Sequence, residues 1–235
     1  MKTGWRVLVV GAGGLGAPLL RVLARSGVEH ITVVDDDLVD ESNLHRQTLY
    51  GPGDVGQSKL KVTERLLRSL SPALSVRTVE GRFVPSTALE LLSGHSLVVE
   101  GADNLATKFL VADAARLCGV AAVQAGVVRW AGWAFCAVPD SACLRCVFED
   151  IPTGRIETCA EAGVLGPVVG VLGGLEAALA VRLLHGERPG GELWHYDALR
   201  GSLRKTFVRR RSDCPLCAGE IHDLRMERYA GPCAA

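Results

Sequence analysis

Residues 5–16 read WRVLVVGAGGLG. The apolar run in the first half of this stretch is typical of a strand buried on both faces of a parallel sheet. The glycines of the second half predict a tight turn that opens a helix, because side chains there would keep the backbone away from a ligand's phosphates. The stretch therefore predicts a nucleotide site to which Gly11, Gly13 and Gly14 contribute.

An acidic residue follows the next apolar strand, which is predicted over residues 30–34. Asp35 is placed to accept hydrogen bonds from ribose hydroxyls, as the acidic residue of dinucleotide-binding folds does. Both NAD and ATP carry such a ribose. These residues alone therefore leave an NAD-dependent oxidoreductase open.

The composition indicates one large α/β domain, since 48% of the 235 residues are hydrophobic and 22% are charged. The 26 basic and 26 acidic residues give a formal net charge of zero, which favours neither nucleic acid nor a membrane surface as the main partner. The chain starts without the apolar region of a signal peptide, and the apolar stretch 163–175 is too short to span a bilayer. We expect a soluble cytoplasmic protein.

A polar loop without a helical or strand period occupies residues 35–59. Loops of this length in compact α/β domains are usually functional or mobile. Several of its side chains could converge on a polyphosphate beside the glycine turn: Ser42, Asn43, Arg46, Gln47 and Lys59. For any one of them taken singly, a solvated surface position is the alternative.

The next buried strand, predicted over residues 96–100, leads into Gly101-Ala102-Asp103-Asn104. Ligands of open parallel sheets lie outside the carboxyl ends of the strands, so Asp103 points to the same crevice as the glycine turn. A carboxylate beside phosphates is best explained as a ligand of Mg²⁺. The alternative is that Asp103 caps the helix predicted over residues 105–117.

The second half of the chain changes character. A hairpin is predicted around Gly132, so that the sheet changes from parallel to antiparallel strands near residue 127. Residues 164–184 form a long apolar segment that is typical of a core helix. Its glycine-rich part, residues 164–175, is also expected to contribute to a symmetric subunit interface.

Two CxxC pairs stand out among the eight cysteines, and they are Cys143 with Cys146 and Cys214 with Cys217. Two such pairs complete a tetrahedral Zn²⁺ site, and four thiolates leave no open position for catalysis. Disulfides are the competing interpretation, disfavoured by the lack of an export signal. Cys159 is an unpaired thiol in a polar segment, and it is either a nucleophile or an inert small residue. Cys118 and Cys136 are expected in the core.

The motifs resemble, in their order, the family of ThiF- and MoeB-type adenylyltransferases, which activate small ubiquitin-like sulfur carrier proteins. The resemblance covers essentially the whole chain, and the matching stretches are GAGGLG, VVDDDLV, SNLHRQTL, DVGQSK, GADN, CLRC, ETCAEAGVLGPVVGVLG and CPLC. SNLHRQ followed by a lysine and two CxxC pairs is far more specific than the glycine turn.

The resemblance implies a fold and a set of ligands. The fold is a Rossmann-like, mostly parallel sheet extended by antiparallel strands, with a four-cysteine zinc staple. One domain spans residues 1–235, with a nucleotide-binding half (1–127) and a carrier-binding half (128–235). The implied substrates are ATP with Mg²⁺ and a carrier protein ending in Gly-Gly. A homodimer and a separate sulfur donor protein are further expectations.

Site residues follow from the resemblance position by position. Gly14, Asp35 and Asn104 would contribute to nucleotide binding, and Asn43, Arg46 and Lys59 would bind its phosphates. Asp103 would hold Mg²⁺, and Cys159 matches a cysteine that takes part in thioester or acyl-disulfide chemistry in some members. These assignments make Arg46, Lys59, Asp103 and Cys159 the candidate catalytic residues.

One departure from the family weakens the match. Family members usually carry an N-terminal helical segment with an arginine that reaches the neighbouring active site, whereas here the first strand begins at Trp5. We therefore expect Arg46 and Lys59 to carry more of the charge neutralisation. A non-catalytic, partner-binding subunit is the rival that this departure favours. Dehydratases that act on an RNA-linked carboxylate are a rival within the family, and the four-cysteine pattern disfavours them.

Overall fold

The strands and helices are described for residues 4–152, 154 and 162–229 in this computed structural model. The strands are β1 (Arg6–Val10), β2 (His30–Asp35), β3 (Ser75–Glu80), β4 (Leu97–Glu100), β5 (Ala121–Val128), β6 (Ala131–Ala137), β7 (Glu192–Asp197) and β8 (Ser202–Phe207). The helices are α1 (Gly16–Ala24), α2 (Lys59–Leu70), α3 (Pro85–Leu92), α4 (Leu105–Leu117), α5 (Leu144–Phe148) and α6 (Gly166–Leu184).

All eight strands belong to one sheet, in the order β3-β2-β1-β4-β5-β6-β7-β8. The strands from β3 to β5 pair in parallel, and β6, β7 and β8 extend the sheet antiparallel. Residue Val9 lies opposite Val33 on one side and Val99 on the other. The carboxyl ends of the parallel strands therefore meet at one edge, which we call the carboxyl edge. The predicted α/β class and the change to antiparallel pairing after β5 are confirmed.

Alternating side chains of the strands fill two cores, one on each face of the sheet. Val9 on β1 faces the core that α1, α2 and α6 cover, and its neighbour Leu8 faces the core under α3, α4 and α5. Both side chains are completely buried. Burying a side chain of this size contributes about 1.5–3 kcal/mol, so both faces stabilise the central strands.

Helix α6 confirms the core helix that the apolar segment predicts, and it packs closely on α1. A Cβ atom at Gly173 would lie 2.4 Å from Pro18 Cγ and 2.8 Å from the Leu15 carbonyl oxygen, so only glycine permits this approach. Length and hydropathy alone would let α6 cross a membrane, but 56% of the apolar window is buried inside the fold, as in a core helix. Val168 faces the core and is 1% exposed, whereas Val171 is 39% exposed.

Other sequence expectations need correction. The hairpin turn lies at Arg129 and Trp130 instead of Gly132, which is within β6 and pairs with Val127. Cys118 is exposed at the end of α4, whereas Cys136 is buried as expected. Neither β7 nor β8 is among the predicted strands. Strand β8 is an exposed edge strand and lacks the apolar alternation of a half-buried strand.

Candidate functional site

The glycine turn joins β1 to α1 and touches the end of β4. Gly11 has φ +92°, a conformation that side chains disfavour, and its N–H donates to the Val34 carbonyl at 2.9 Å. A Cβ atom at Gly16 would lie 2.2 Å from the Gly11 carbonyl oxygen. A Cβ atom at Gly11 would lie 3.3 Å from the Ala102 nitrogen. The turn is therefore held close to both neighbouring strand ends.

Asp35 ends β2 beside this turn and binds backbone amides with both carboxylate oxygens. Its Oδ2 accepts from Ala12 N–H at 2.7 Å, and its Oδ1 accepts from Asp37 N–H at 2.9 Å. Burial raises the pKa of Asp35, against the opposing effect of the Ala12 hydrogen bond. The carboxylate fixes the turn, and its remaining lone pairs can accept from a ribose.

Lys59, the first residue of α2, places a buried ammonium group at the carboxyl edge. The residue is 3% exposed. Its Nζ lies 2.6 Å from Asp37 Oδ2, whose side chain is 63% exposed. Asp37 is its ion-pair partner among the described residues, and because that partner is exposed, a phosphate oxygen can replace it.

Arg46 lies in the loop after a short 3-10 helix, Glu41–Asn43, which Asp40 caps by accepting from Ser42 N–H. The guanidinium donates to Asn43 Oδ1 and is 3.5 Å from the Ser42 carbonyl oxygen. These partners, within the described part of the chain, are neutral groups. The positive charge of Arg46 therefore stays available for an anion.

Gln47 and Tyr50 pack under the glycine turn. Gln47 Nε2 lies 3.7 Å from the position of a Cβ atom at Gly13, and the buried Gln47 Oε1 has no hydrogen-bond partner among the described residues. Tyr50 donates from its hydroxyl to the Ala12 carbonyl at 2.7 Å. Burial raises the pKa of Tyr50, which keeps the hydroxyl a donor. Sequence reasoning missed Tyr50 because only the fold brings it to the turn.

The sequence left two roles open for Asp103, a ligand of Mg²⁺ and the cap of α4, and the cap is its neighbour Asn104. Asn104 is the helix cap, since its Oδ1 accepts from Thr107 N–H at 2.8 Å. The Asp103 side chain is exposed and makes no such contact. Exposed carboxylate oxygens beside the glycine turn are the hard ligands that Mg²⁺ prefers.

The carboxyl edge thus gathers most of the candidate residues. Because β1 lies between β2 and β4, the glycine turn lies between Asp35 and the Asp103 turn. Lys59 and Gln47 contact residues of the same edge. Cys159 lies outside the residues that the structure describes, and its predicted role stays a prediction.

The four CxxC cysteines form a cluster near the C-terminal end of α4, where Arg116 lies. The Cys143 sulfur lies 3.8 Å from that of Cys146 and 3.5 Å from that of Cys214, and the Cys146 and Cys217 sulfurs are 3.6 Å apart. All four ligand atoms lie within 4.8 Å of one another, which fits a tetrahedral Zn²⁺ site. Separations this long exclude disulfide bonds between them.

Arg116 supports this cluster from the end of α4. Its Nη2 donates to Cys217 Sγ at 3.0 Å and to the Ser141 carbonyl at 2.7 Å. Burial is the largest single influence on Cys217 and opposes its ionisation, but the hydrogen bond and charge of Arg116, together with hydrogen bonds from the neighbouring cysteines, lower the pKa of this thiol to about 7. No sequence motif indicated Arg116, since it lies far from both CxxC pairs in the chain.

A second contact network ties the first CxxC pair to α4. Arg145, between Cys143 and Cys146, donates to both carboxylate oxygens of Asp113 at 2.9 Å. Tyr229 donates from its hydroxyl to Asp113 Oδ2 at 2.8 Å. The Arg145 and Asp113 side chains are 2% and 0% exposed. The cluster is therefore anchored by a buried, fully paired charge.

Comparisons with known proteins agree with this geometry. The chain is 39% identical to a SAMP-activating enzyme E1 of Haloferax volcanii, over 97% of this chain and 86% of the relative. It is 41% identical to a sulfur carrier protein adenylyltransferase of Thermus thermophilus, over 97% of this chain and 87% of the relative. A crystal structure of E. coli MccB matches the fold with a TM-score of 0.80 at 22% identity, covering 91% of this chain and 67% of MccB. The ThiF family matches residues 3–216. The chain therefore belongs to the ThiF family.

Proposed function

We propose that this protein is an ATP-dependent adenylyltransferase of a small ubiquitin-like sulfur carrier protein. It transfers AMP from ATP to the carrier's C-terminal Gly-Gly carboxylate and releases pyrophosphate. The observation that carries the proposal is the carboxyl edge itself, where a glycine turn, a buried lysine and an exposed aspartate come together. The two relatives named above are an activating enzyme and an adenylyltransferase, so an oxidoreductase is not retained.

The nucleotide would lie across the glycine turn. The free N–H groups at the start of α1 and the helix dipole favour its phosphates. Asp35 would accept from the ribose hydroxyls, and Gln47 places its Nε2 beside Gly13, while its buried Oε1 has no hydrogen-bond partner among the described residues. Asn104 caps α4 in the neighbouring Asp103 turn and would fix the backbone there beside the ligand.

The reaction joins one carboxylate oxygen of the carrier to the α-phosphorus, while the bond from that phosphorus to the bridging oxygen of pyrophosphate breaks. Negative charge develops on the leaving pyrophosphate. Lys59 and Arg46 are the cations placed to offset it, with Asn43 orienting the Arg46 guanidinium. Asp103 would hold Mg²⁺, which neutralises phosphate charge when bound.

The carrier would approach over the antiparallel half of the sheet, residues 128–235. A Gly-Gly tail has no side chains and suits the narrow crevice beside the glycine turn. A separate sulfur donor protein would then supply the sulfur nucleophile that attacks the acyl-adenylate carbonyl and displaces AMP. Action in the cytoplasm is part of the same proposal. Cys159 takes part, if at all, only after adenylation.

The cysteine cluster would hold one structural Zn²⁺. The fit rests on the donor set, since four thiols within 4.8 Å match a closed tetrahedral site. Such a site stabilises the fold and provides no open position for substrate. Zinc therefore contributes to stability and not to the adenylation step.

A second copy of the chain would cover the exposed face of α6. This face consists of small and apolar residues at helical spacing: Pro167, Gly170, Val171, Gly174 and Ala178. An aspartate at Val171 would bury an unpaired charge in such an interface. Light scattering should therefore show a dimer for the unmodified protein and a monomer for Val171→Asp. A monomeric unmodified protein would reject this interface.

Exchange of labelled pyrophosphate into ATP tests the proposed function. The probe is the sulfur carrier protein of Thermus thermophilus, and the control is the same carrier without its Gly-Gly end. We expect exchange only with the intact carrier and Mg²⁺, and none with Asp103→Ala. ATP binding without exchange by the unmodified protein would favour the non-catalytic subunit instead.

A further inference from the structure

A buried ion pair lies directly beneath the turn that carries Asp103. Lys108 Nζ is 3.1 and 3.2 Å from the two carboxylate oxygens of Glu100. The two side chains are 5% and 0% exposed. Glu100 ends β4 and Lys108 lies in the first turns of α4, so the pair joins the two ends of the Asp103 turn.

Glu100 also holds the backbone of this turn. Its Oε1 accepts from Ala102 N–H at 2.6 Å, and its Oε2 accepts from Gln124 Nε2 at 3.1 Å. Lys108 donates in addition to the Ala125 carbonyl of β5. The carboxylate is thus fixed by three donors, and its one contact to the turn is the amide next to Asp103.

The opposite side of the turn is closed by the glycine turn. A Cβ atom at Gly101 would lie 3.0 Å from Leu15 Cβ and 3.2 Å from the Gly16 nitrogen. A Cβ atom at Gly11 would lie 3.3 Å from the Ala102 nitrogen, which is a similarly close approach. The Ala102 amide is therefore confined between the glycine turn and Glu100.

We infer that Glu100 and Lys108 are positioning residues for Asp103: the acceptor at position 100 fixes the Ala102 amide, and the turn then presents the Asp103 carboxylate to the metal of the bound nucleotide. The inference rests on the proposed function, in which Asp103 holds Mg²⁺. A buried ion pair is weak evidence for stability, because desolvation offsets the attraction between the charges. Its contacts with the turn give this pair a role that stability alone does not supply.

The chain offers a matched control on the same helix. Arg145 and Asp113 form an equally buried pair, with side chains 2% and 0% exposed, beneath the cysteine cluster. Asp113 belongs to α4, as Lys108 does. Removing both charges there should cost stability without changing how metal and nucleotide bind at the carboxyl edge.

The experiment measures the affinity for ATP by calorimetry, with Mg²⁺ and with EDTA, in three double variants. Glu100→Leu/Lys108→Met removes both charges and the acceptor for Ala102 N–H. The increase in ATP affinity that Mg²⁺ causes should be about tenfold smaller in this variant than in the unmodified protein, because changes behind a metal ligand weaken metal binding. The affinity for ATP in EDTA should be unchanged. Glu100→Gln/Lys108→Met keeps an acceptor and should retain most of the gain. Asp113→Leu/Arg145→Met should retain all of it.

An equal Mg²⁺ gain in Glu100→Leu/Lys108→Met and the unmodified protein would overturn the inference, and so would equal losses in the Leu and Gln variants. Should the Leu variant fail to fold, hydrogen exchange of the Ala102 amide in the unmodified protein decides. Slow exchange supports the inference, and exchange at the rate of an unfolded chain contradicts it. Failure of the proposed function would give a different result. The unmodified protein itself would then gain no ATP affinity from Mg²⁺.

Discussion

The carboxyl edge and the cysteine cluster treat their charges in opposite ways. At the carboxyl edge, Arg46 donates to the Asn43 side chain and makes no ion pair among the described residues, and Lys59 pairs there with the exposed Asp37, so both cations are accessible to a ligand. At the cysteine cluster, Arg145 pairs with the buried Asp113 and also with the exposed Asp150, so its charge is already paired within the protein. The difference agrees with the proposed binding role of the carboxyl edge and the proposed structural role of the cysteine cluster.

Helix α4 connects the two regions. Its Lys108 contacts Glu100 beneath the Asp103 turn, and its Asp113 contacts Arg145 beneath the cysteines. Arg116 at its end donates to Cys217. Loss of zinc should therefore loosen the far end of α4 first, at a distance from the glycine turn.

The largest effect is expected from Cys143→Ala at the cysteine cluster. Structural Zn²⁺ in small domains contributes about 10–16 kcal/mol to folding, so losing one thiolate should lower the free energy of unfolding by several kcal/mol. Elemental analysis and thermal unfolding should show zinc and stability lost together. Cys118→Ala, at an exposed thiol, should change neither. Full stability without zinc would show that the cluster does not stabilise the fold by binding a metal.

Arg46→Ala should affect the reaction and leave the fold intact. Removing one preorganised donor from developing charge typically costs about 10²–10³ in rate, roughly 3–4 kcal/mol. Pyrophosphate exchange should fall by that factor, and Arg46→Lys should restore it only in part, because an ammonium group cannot bind phosphate in the bidentate manner of guanidinium.

Arg82→Ala is the control for Arg46→Ala. Arg82 is also near the end of β2, but its side chain is 79% exposed and pairs with Asp36 at 3.0 Å. The exchange rate of this variant should equal that of the unmodified protein. Equal losses in both variants would mean that general surface charge, and not the position of Arg46, controls the reaction.

The smallest effect concerns Glu176, a buried acid of α6 that lies within electrostatic range of Glu100. Both of its carboxylate oxygens are buried without hydrogen-bond partners among the described residues. Burial and the negative charge of Glu100 raise the pKa of Glu176 well above its ordinary value of 4.5. The folded state thus binds this proton more tightly than the unfolded state does, and its stabilising effect is lost as the pH rises toward the raised pKa.

Glu176→Gln should remove this pH dependence. The free energy of unfolding of the unmodified protein should fall relative to the variant, by up to about 1.4 kcal/mol per pH unit, as the pH rises above 4.5. Urea unfolding at a series of pH values measures this difference. Glu90→Gln, at an exposed site on α3, should behave as the unmodified protein does. Parallel curves for Glu176→Gln and the unmodified protein would contradict a raised pKa of Glu176.

Local patterns predicted much of the fold. Helix α4 runs from Leu105 to Leu117, with the bounds that the sequence predicts. The glycine turn and the four cysteines were also predicted, because each is a short motif with one physical requirement.

The remaining features depend on contacts between residues far apart in the chain. Tyr50 reaches the Ala12 carbonyl, and Arg116 reaches Cys217, only after the sheet has formed. Glu100 and Lys108 are nearer in the chain, but a strand end and a helix face likewise give no sign of their mutual approach. Sequence periodicity predicts that such side chains are buried but not what they contact.

Mass spectrometry of the carrier tests the central claim most directly. The sulfur carrier protein of Thermus thermophilus would be incubated with the unmodified protein, ATP and Mg²⁺, and its intact mass measured. We expect a carrier heavier by one adenylyl group, labile to hydroxylamine, and absent when Asp103→Ala replaces the unmodified protein. An unchanged carrier mass, under conditions in which the unmodified protein binds both ATP and the carrier, would contradict the claim that the carboxyl edge adenylates its partner.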